Sequence, residues 1–491
     1  MSRRRRVFLT GATGNWGRRV LREFAARADR FDVVALVLPT RGERAAIAEF
    51  ADLPNLRVVW GDLTDYDAVE RCVRGSDYVL HVGAIVSPQA DDQPELTHRV
   101  NVGGTRNIIR AVQAQADPGA ISVVMIGSVA ETGDRNPPYH WGRVGDPLRV
   151  SQFDEYGQSK IIAERALVES GLPRWVWLRQ TGIFHSGMLE IRDAIMTHVP
   201  FAGVMEWATA EDSARLLANI CEDGVPEHFW GRVYNIGGGA AWRLTNWEMQ
   251  VRLGTTLGVT DIRRWYDRNW FATRNFHGQW YTDSDDLESL VPFRRDTVDD
   301  ALARAVGACP RSVRLAGRIP AAVVKNLVIG PLTRQPRGSM AWIRADDDAR
   351  IRAYFGSRAD WEAIGDWSTF QIPTPDRTPR LLDHGYDESK DSAAWTDDDF
   401  AAAAAVPGGA RRSAHPPAGA VTAPRRGAGA APPPARPRSP STTTRCASCA
   451  PSGSRRSSGS PRRRSWSRRC APGWTGCGSW RPSGSATSCA S

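Results

Sequence analysis

Short apolar segments alternate with longer amphipathic segments through the first 180 residues of the chain. The apolar segments are rich in Val, Leu and Ile with little polar alternation, which is typical of strands buried on both faces of a sheet. Strand–helix–strand units of this kind predict an α/β fold with a doubly wound parallel sheet and right-handed crossovers. The predicted strands are residues 7–10, 32–38, 56–60, 77–82, 121–127 and 174–179.

A glycine-rich loop, TGATGNWG at residues 10–17, follows the first predicted strand and opens a helix. In such a loop Gly11 permits the tight turn, Gly14 lets the backbone approach a pyrophosphate, and Gly17 allows close packing of helix on strand. The free N–H groups of the helix N-terminus then face the phosphates. Three glycines alone often mark only a tight turn, but this position in an alternating pattern favours dinucleotide binding.

Composition divides the chain into four segments. Residues 1–184 are predicted to form a Rossmann-type NAD(P)-binding domain, to which some later segments return. Residues 185–310 form a smaller substrate-binding domain, with helices expected at 207–220 and 245–258 and a strand and turn at 231–238. Residues 311–400 are a more polar extension with a helix at 344–358. Residues 401–491 are a basic low-complexity tail without Leu, Ile, Met, Phe or Tyr, which cannot bury a core and is expected to be disordered.

The net charge of the chain is +10, and its positive sign is due to that tail. Residues 401–491 hold fifteen Arg and no acidic residue, so residues 1–400 hold 49 basic and 54 acidic residues and carry a charge of −5. The first interpretation of the tail is an out-of-frame translation of a GC-rich gene, because its residues use GC-rich codons and the change is abrupt. The second is a basic segment that binds nucleic acid. Nucleic acid is not an expected partner of the rest of the chain.

The distribution of cysteines and of apolar residues favours a cytoplasmic protein with a small-molecule substrate. Three dispersed cysteines in residues 1–400 suggest a reducing compartment, and no metal site is predicted because the CASC at 446–449 has no second pair of ligands. No stretch approaches the roughly 20 apolar residues that a membrane span needs, and the apolar run after the N-terminal arginines is too short for a signal peptide.

The spacing GxxGxxG, together with later segments, resembles the extended short-chain dehydrogenase/reductase superfamily, the group of NAD-dependent epimerases and dehydratases. The resemblance covers roughly residues 5–300 and implies the Rossmann-type fold above. In HVGA a glycine replaces the first Ala of the family pattern, and in LRQTGIF Gln180 stands where Pro is usual. The matching segments are GDL (61–63), HVGA (81–84), NVGGT (101–105), GSVAETG (127–133), LRQTGIF (178–184) and VYNIGGG (233–239).

The segment YGQSK carries the predicted chemistry. Tyr156 and Lys160 are four residues apart and share one helix face. A tyrosine with a pKa near 10 is a poor acid–base group at neutral pH, and a cation beside it favours the phenolate. A lysine among only three in a chain with 61 Arg suggests a specific need for its compact charge. An exposed helical Tyr–Lys pair is the alternative; the position after the fifth strand, beyond Ser128, favours the catalytic interpretation.

The resemblance implies hydride transfer between a substrate hydroxyl or carbonyl carbon and nicotinamide, with Ser128 holding the oxygen, Tyr156 exchanging the proton and Lys160 tuning Tyr156. The redox step either stands alone or is internal to epimerisation or dehydration. The competing class is a non-catalytic NAD(P)-binding sensor or scaffold. The predicted cofactor-binding residues are Gly11, Thr13, Gly14, Asn15, Trp16, Gly17, Arg41, Asp62, Leu63, Gly83, Ala84, Asn101, Tyr156 and Lys160.

The cofactor preference is predicted from the end of the second strand. An NAD enzyme usually has an acid there to hold the ribose 2′-hydroxyl. The segment ALVLPTRGER has none before Glu43, whereas Arg41 and Arg44 could meet a 2′-phosphate. NADP is therefore favoured over NAD, with the start of a solvated helix as the alternative role for the two arginines.

Three further expectations concern neighbouring residues. Glu131 is either the acid of a dehydratase or a solvated loop residue, and His185 either lines the substrate cleft or lies on a surface loop. The helix that carries YGQSK often forms a four-helix dimer interface in the family that the chain resembles. Ile161, Ile162 and Leu167 either serve such a homodimer or pack on the sheet.

Overall fold

The computed structural model describes residues 3–190 and 193–379. Its main feature is a seven-stranded sheet with the strand order β7-β6-β5-β4-β1-β2-β3, in which all neighbours are parallel. The predicted Rossmann-type parallel sheet is confirmed, and the strand from beyond residue 230 adds to its edge. The strands are β1 (Arg5–Thr10), β2 (Phe31–Val37), β3 (Leu56–Trp60), β4 (Tyr78–His81), β5 (Ser122–Ser128), β6 (Trp175–Gln180) and β7 (Arg232–Ile236).

Helices cover both faces of this sheet, because the strands carry apolar side chains on both sides. One core layer joins the sheet to α1 and α6 through residues such as Phe24 and Leu217. The other joins it to α3, α4 and α5 through residues such as Val69, Ile108 and Leu167. The helices are α1 (Asn15–Ala25), α2 (Arg41–Ile47), α3 (Tyr66–Val73), α4 (Gly104–Gln113), α5 (Glu155–Val168) and α6 (Ala210–Ile220).

Short strand pairs and small helices make up the remaining regular structure of the described residues. The strand pairs are Trp141–Gly142 with Trp280–Tyr281, Ile183–Phe184 with Ala208–Thr209, and Val204–Glu206 with Arg243–Thr245. The remaining α-helices are Gln89–Asp92, Pro94–Thr97, Asn246–Thr256, Ser284–Leu290, Val298–Ala308, Arg311–Arg314, Ala321–Val323, Gly330–Thr333, Ser339–Ala345, Asp348–Phe355 and Arg358–Glu362, with π-helical turns at His98–Gly103 and Val324–Ile329.

The structure confirms one predicted helix of this part and divides another into two. The helix Asn246–Thr256 begins as predicted, because Thr245 and Glu248 cap it reciprocally. The helix predicted at 344–358 is instead two helices. Asp346 adopts a left-handed conformation with φ 53°, and Asp347 caps the second helix by accepting from the backbone N–H of Arg350.

The predicted tail and the end of the predicted extension, residues 380–491, lie outside the described residues. Within residues 3–190 and 193–379, no helix combines the length and the apolar character that crossing a membrane requires. In the same ranges no group of three or more His, Cys, Asp or Glu side chains is arranged around a common point suited to a metal ion.

Candidate active site

The glycine-rich loop forms a tight cradle between β1 and α1. Gly11 has φ +70°, and a Cβ there would lie 2.7 Å from the Cα of Gly83. A Cβ on Gly17 would lie 1.9 Å from the carbonyl oxygen of Gly11, so only glycine allows the helix to pack this close. Gly14 is the N-cap of α1 and has no capping side chain, which leaves the N–H groups of the first turn without a side-chain partner at the cap.

The loop after β4 is held against this cradle by hydrogen bonds. The hydroxyl of Thr10 accepts from the backbone N–H of Gly83 at 3.0 Å. Asn101 fixes the same loop, since its Oδ1 accepts from the N–H of Ile85 at 2.8 Å and its Nδ2 donates to the hydroxyl of Ser159 at 2.9 Å. Asn101 is therefore a buried link between the β4 loop and the helix that carries Tyr156.

The other predicted cofactor residues lie along the same carboxyl edge of the sheet. Asp62 follows β3, where its Oδ1 accepts from the N–H of Thr64 at 2.8 Å, and Leu63 packs against Gly104. Arg41 is exposed at the first position of α2, directly after β2. Arg44 lies 4.1 Å from the centre of the Trp60 ring, which holds it in a cation–π contact. Thr13, Asn15 and Ala84 are half-buried and Trp16 is buried.

The hydroxyl of Ser128 is close enough to Tyr156 to lower the pKa of its phenol. Ser128 is the last residue of β5, and its hydroxyl also accepts from the N–H of Ala130 at 3.1 Å. Tyr156 lies in the first turn of α5, which begins there because the Asp154 carboxylate accepts from the N–H of Gly157 at 2.7 Å. The strand end and the helix cap thus place the two predicted hydroxyl groups together.

Lys160 lies one turn further along α5 and is buried. Its amine donates to the carbonyl oxygen of Ile126 at 2.8 Å and lies 5.8 Å from the centre of the Tyr156 ring. Burial lowers the pKa of Lys160 to about 8. The hydrogen bond to Ile126 fixes the amine between β5 and the tyrosine.

The electrostatics of Tyr156 differ from the prediction. Burial raises the pKa of its hydroxyl above the ordinary value, and Glu131 and Asp154 raise it further, while Ser128 lowers it. The pKa of Tyr156 is therefore raised rather than lowered as expected, because desolvation of the phenolate is the largest effect on it. Tyr156 is a protonated group at neutral pH.

Glu131 lies in the core, so its interpretation as a solvated loop residue is wrong. Its Oε1 accepts from the N–H of Ser128 at 2.7 Å, and its Oε2 lies 3.2 Å from Nε of Arg179. Glu164, on the same face of α5 as Tyr156 and Lys160, binds the same guanidinium at 2.7 and 2.9 Å. Burial, then Glu164, raises the pKa of Glu131; burial acts the same way on Glu164, but Arg179 outweighs it and lowers the pKa of Glu164.

The sequence only partly predicted the roles of Gln180, the last residue of β6, and of His185, which follows that strand. Gln180 pairs with Ser128 across the sheet and shares its face, and among residues 3–190 and 193–379 neither amide atom has a hydrogen-bond partner. A buried amide without a partner is unfavourable unless a ligand satisfies it. His185 is also buried, so the surface-loop alternative is wrong; burial, then Arg19, lowers its pKa to about 4.

The residues present fit a dinucleotide. The glycine cradle gives backbone access, the uncapped start of α1 offers N–H donors to a pyrophosphate, and Tyr156 with Lys160 lies at the same sheet edge. In open parallel sheets, ligands bind at this carboxyl edge where the strand order reverses. Here the reversal lies between β1 and β4, beside Gly11 and Gly83.

Known proteins resemble this chain in sequence and in fold. The profile of the NAD dependent epimerase/dehydratase family matches residues 7–172. A 3 beta-hydroxysteroid dehydrogenase/Delta 5-->4-isomerase of Mycobacterium tuberculosis (strain H37Rv) is 29% identical over 199 residues, which cover 37% of this chain and 48% of that protein. The short-chain dehydrogenase/reductase family 42E member 1 of Danio rerio is 34% identical over 152 residues, covering 28% of this chain and 38% of that protein.

A solved structure supports the fold. The dTDP-glucose 4,6-dehydratase of Bacillus anthracis, in complex with NAD, has a TM-score of 0.50 and 17% identity, and the match covers 62% of this chain and 96% of that one. At this identity the likeness concerns the fold alone. The chain spans about half the length of the curated relatives it matches, or less. The glycine cradle and the seven-stranded parallel sheet agree with the match of residues 7–172 to the NAD dependent epimerase/dehydratase family.

Proposed function

We propose that the chain is an NAD(P)-dependent oxidoreductase that acts at a hydroxyl or carbonyl carbon of a small molecule. The observation that carries the proposal is the grouping of three side chains: Ser128 acts on the phenol of Tyr156, and the amine of Lys160 lies 5.8 Å from the centre of the tyrosine ring. This group lies at the carboxyl edge of the sheet, beside the glycine cradle. A protein that only senses a dinucleotide needs the cradle but not the second group, which is the reason to prefer an enzyme.

A redox step that stands alone suits the site better than a dehydration. Dehydration needs an acid or base that reaches the substrate in addition to the tyrosine. Glu131, the acid that follows Ser128, is directed away from Tyr156 into the bonds with Arg179 and the Ser128 N–H. The relatives named as hydroxysteroid dehydrogenases support the same choice, since their names describe oxidation of an alcohol.

The chain's own residues would move one proton and hold one oxygen. The bound nicotinamide would supply the hydride acceptor or donor. In carbonyl reduction, Tyr156 donates its hydroxyl proton to the substrate oxygen, which Ser128 holds through a second hydrogen bond. In alcohol oxidation the proton returns to Tyr156. Lys160 stabilises the tyrosinate that forms in reduction, because its positive charge lies close to the ring.

NADP is the proposed cofactor. Arg41 is exposed at the first position of α2, where the chain leaves the end of β2, and no acidic residue precedes it in that turn. A guanidinium at this position can bind a ribose 2′-phosphate with two parallel hydrogen bonds. Arg44 is less available, because it already stacks on Trp60.

Cofactor titration followed by a substrate panel tests the proposal. NADPH binding to the full chain would be measured by calorimetry, and ketones, secondary alcohols and nucleotide sugars would then be screened for a change in NAD(P)H absorbance. Lys160→Arg should bind cofactor weakly and rescue little activity, since a planar fork does not replace a compact charge. Tight NADPH binding without turnover of any substrate would favour the sensor or scaffold function instead.

A homodimer is a second part of the proposal. Leu167 is buried in the core between α5 and the sheet, so it is not available to a partner. Ile161 and Ile162 are only half-buried, so a second copy could cover them. Sedimentation of the wild type and of Ile161→Asp would test this: a dimer that dissociates in the variant supports the proposal, and a monomeric wild type contradicts it.

A further inference from the structure

A cavity of about 590 Å³ lies beside the start of α5. One part of its wall comes from the β4 loop and from the segment before Tyr156, including Asp91 and Asp154. Most of the remaining wall is apolar and comes from residues 188–199, 250–266 and 312–332. Its central side chains are Leu253, Leu257, Ile262, Trp265, Val324 and Ile329.

We propose that this cavity holds the substrate, and that the substrate is a bulky, uncharged apolar alcohol or ketone rather than a nucleotide sugar. The inference rests on the proposed oxidoreductase function and names the substrate class of the same site. The cavity volume falls within the range of roughly 300–1,000 Å³ that is usual for small-molecule sites. Its apolar wall favours a ligand that loses apolar surface from water on binding.

The charges of the wall exclude an anionic ligand. The chain has 64 Arg and Lys residues, yet the described residues that line the cavity include neither type, whereas they do include Asp91 and Asp154. A pyrophosphate buried against two carboxylic groups without a cation would be strongly unfavourable. Nucleotide sugars carry this group, so the wall selects against them by charge.

The two histidines of the wall do not supply the missing cation. His198 is engaged with the carbonyl oxygen of Arg337 at 2.8 Å, and burial lowers its pKa to about 4, so it is neutral at pH 7. Nδ1 of His277 lies 3.3 Å from the Asp154 carboxylate, so any positive charge on this ring is already neutralised by an acid. The cavity is thus neutral to negative near neutral pH.

The cavity meets the reacting groups at the first turn of α5. The Asp91 carboxylate accepts from the backbone N–H of Glu155 at 3.1 Å and is also bonded to the N–H of Tyr156. Asp154 caps the same helix. Ser128, Tyr156 and Lys160 themselves do not line the cavity. A substrate whose body fills the cavity would present its oxygen at the end formed by Asp91 and Asp154, beside the helix start that carries Tyr156.

A chain-length series tests the inference without depending on turnover. Binding of 2-alkanones of increasing length would be measured by calorimetry on the full-length Tyr156→Phe variant saturated with NADPH. Each added methylene should tighten binding roughly fourfold until the cavity is full. A dTDP-hexose should bind at least tenfold more weakly than the best ketone. Equal affinity along the series, or tighter binding of the dTDP-hexose, would overturn the inference.

A pair of variants assigns the binding to this cavity. Ala316 lines the cavity, so Ala316→Trp should fill part of the space. The affinity for long ketones should then fall at least tenfold, while the affinity for short ketones should not change. Ala359→Trp places the same bulk at an exposed position outside the lining and should change nothing. Equal binding of the long ketones by both variants would show that they bind elsewhere. If the ketones bind as expected but wild type turns none over, the proposed reaction fails and the assignment of the cavity stands.

Discussion

The buried carboxyl groups of Glu131 and Glu164 share one guanidinium, that of Arg179, at 3.2 Å and 2.7 Å respectively. One cation can neutralise only one of them at low cost, so one carboxyl group retains its proton. The directions of the two pKa shifts assign that proton to Glu131, because burial and Glu164 raise its pKa, whereas Arg179 lowers that of Glu164 despite burial. The protonated Glu131 still accepts from the backbone N–H of Ser128, so the pair fixes the strand end that carries the serine.

This assignment predicts that two matched substitutions have unequal effects on stability. Glu131→Gln replaces a protonated carboxyl by a neutral amide of the same shape and should change the free energy of unfolding by about 1 kcal/mol or less. Glu164→Gln removes the carboxylate that pairs with a buried arginine and should cost about 3–5 kcal/mol. Denaturant unfolding measures both. Equal losses in the two variants would mean that Glu131 is ionised in the folded protein.

Replacing Gln180 by an apolar residue should raise stability and lower activity. Its amide is buried beside Ser128 without a partner among the described residues, so Gln180→Met should raise the free energy of unfolding by about 1–3 kcal/mol. If the amide serves a bound ligand, kcat/KM should fall by roughly tenfold, the value of one hydrogen bond. The exposed Gln158→Met on α5 is the control and should alter neither quantity. A variant that is both more active and less stable would contradict the role.

The position of Arg41 leads us to expect a preference for NADPH over NADH. The wild type should bind NADPH more tightly than NADH. Arg41→Ala should lower the affinity for NADPH by roughly 10–100-fold and leave the affinity for NADH nearly unchanged, because only NADPH carries the 2′-phosphate. Arg344→Ala, an exposed arginine of the helix Ser339–Ala345, removes the same charge and should have no selective effect. Equal wild-type affinities for the two cofactors would remove the basis of the preference.

The raised pKa of Tyr156 predicts a pH dependence with a definite sign. The hydroxyl is protonated at neutral pH, so it is ready to donate a proton in carbonyl reduction. Oxidation needs the deprotonated form, whose population rises with pH, so kcat/KM for oxidation should still be climbing above pH 8. The reductive rate should not fall until higher pH. An oxidative profile that reaches its plateau below pH 7 would show that the tyrosine pKa is lowered in the working enzyme.

The sequence was sufficient for the sheet and for the placement of Tyr156 and Lys160 on one helix face, because both depend on local patterns. Val- and Leu-rich strands predict buried parallel pairing, and the spacing of Tyr156 and Lys160 places them on one helix face whatever surrounds them. The strand β7 could be recognised as a strand, but its place at the sheet edge depends on a return of the chain from beyond residue 230.

The burial of Glu131 could not be predicted in the same way. It follows a strand in a segment typical of a loop, and its partners Arg179 and Glu164 come from β6 and α5, which only the folded sheet brings together. The cavity has the same origin, since its wall combines segments from residue 87 to residue 354. The direction of the Tyr156 pKa shift also depends on desolvation, which is a property of the packed site.

The rate of Tyr156→Phe tests the account most directly. The substitution removes one oxygen and keeps the ring, so NADPH binding should stay within about twofold, whereas loss of general acid–base catalysis should lower kcat by roughly 10²–10⁴-fold. Tyr139→Phe, at an exposed tyrosine, is the matched control and should keep full activity. Single-turnover oxidation of NADPH with a substrate found in the panel would be followed for the three proteins. A fall of at least a hundredfold in Tyr156→Phe alone is the predicted result, and a Tyr156→Phe protein that turns over at the wild-type rate would contradict the mechanism.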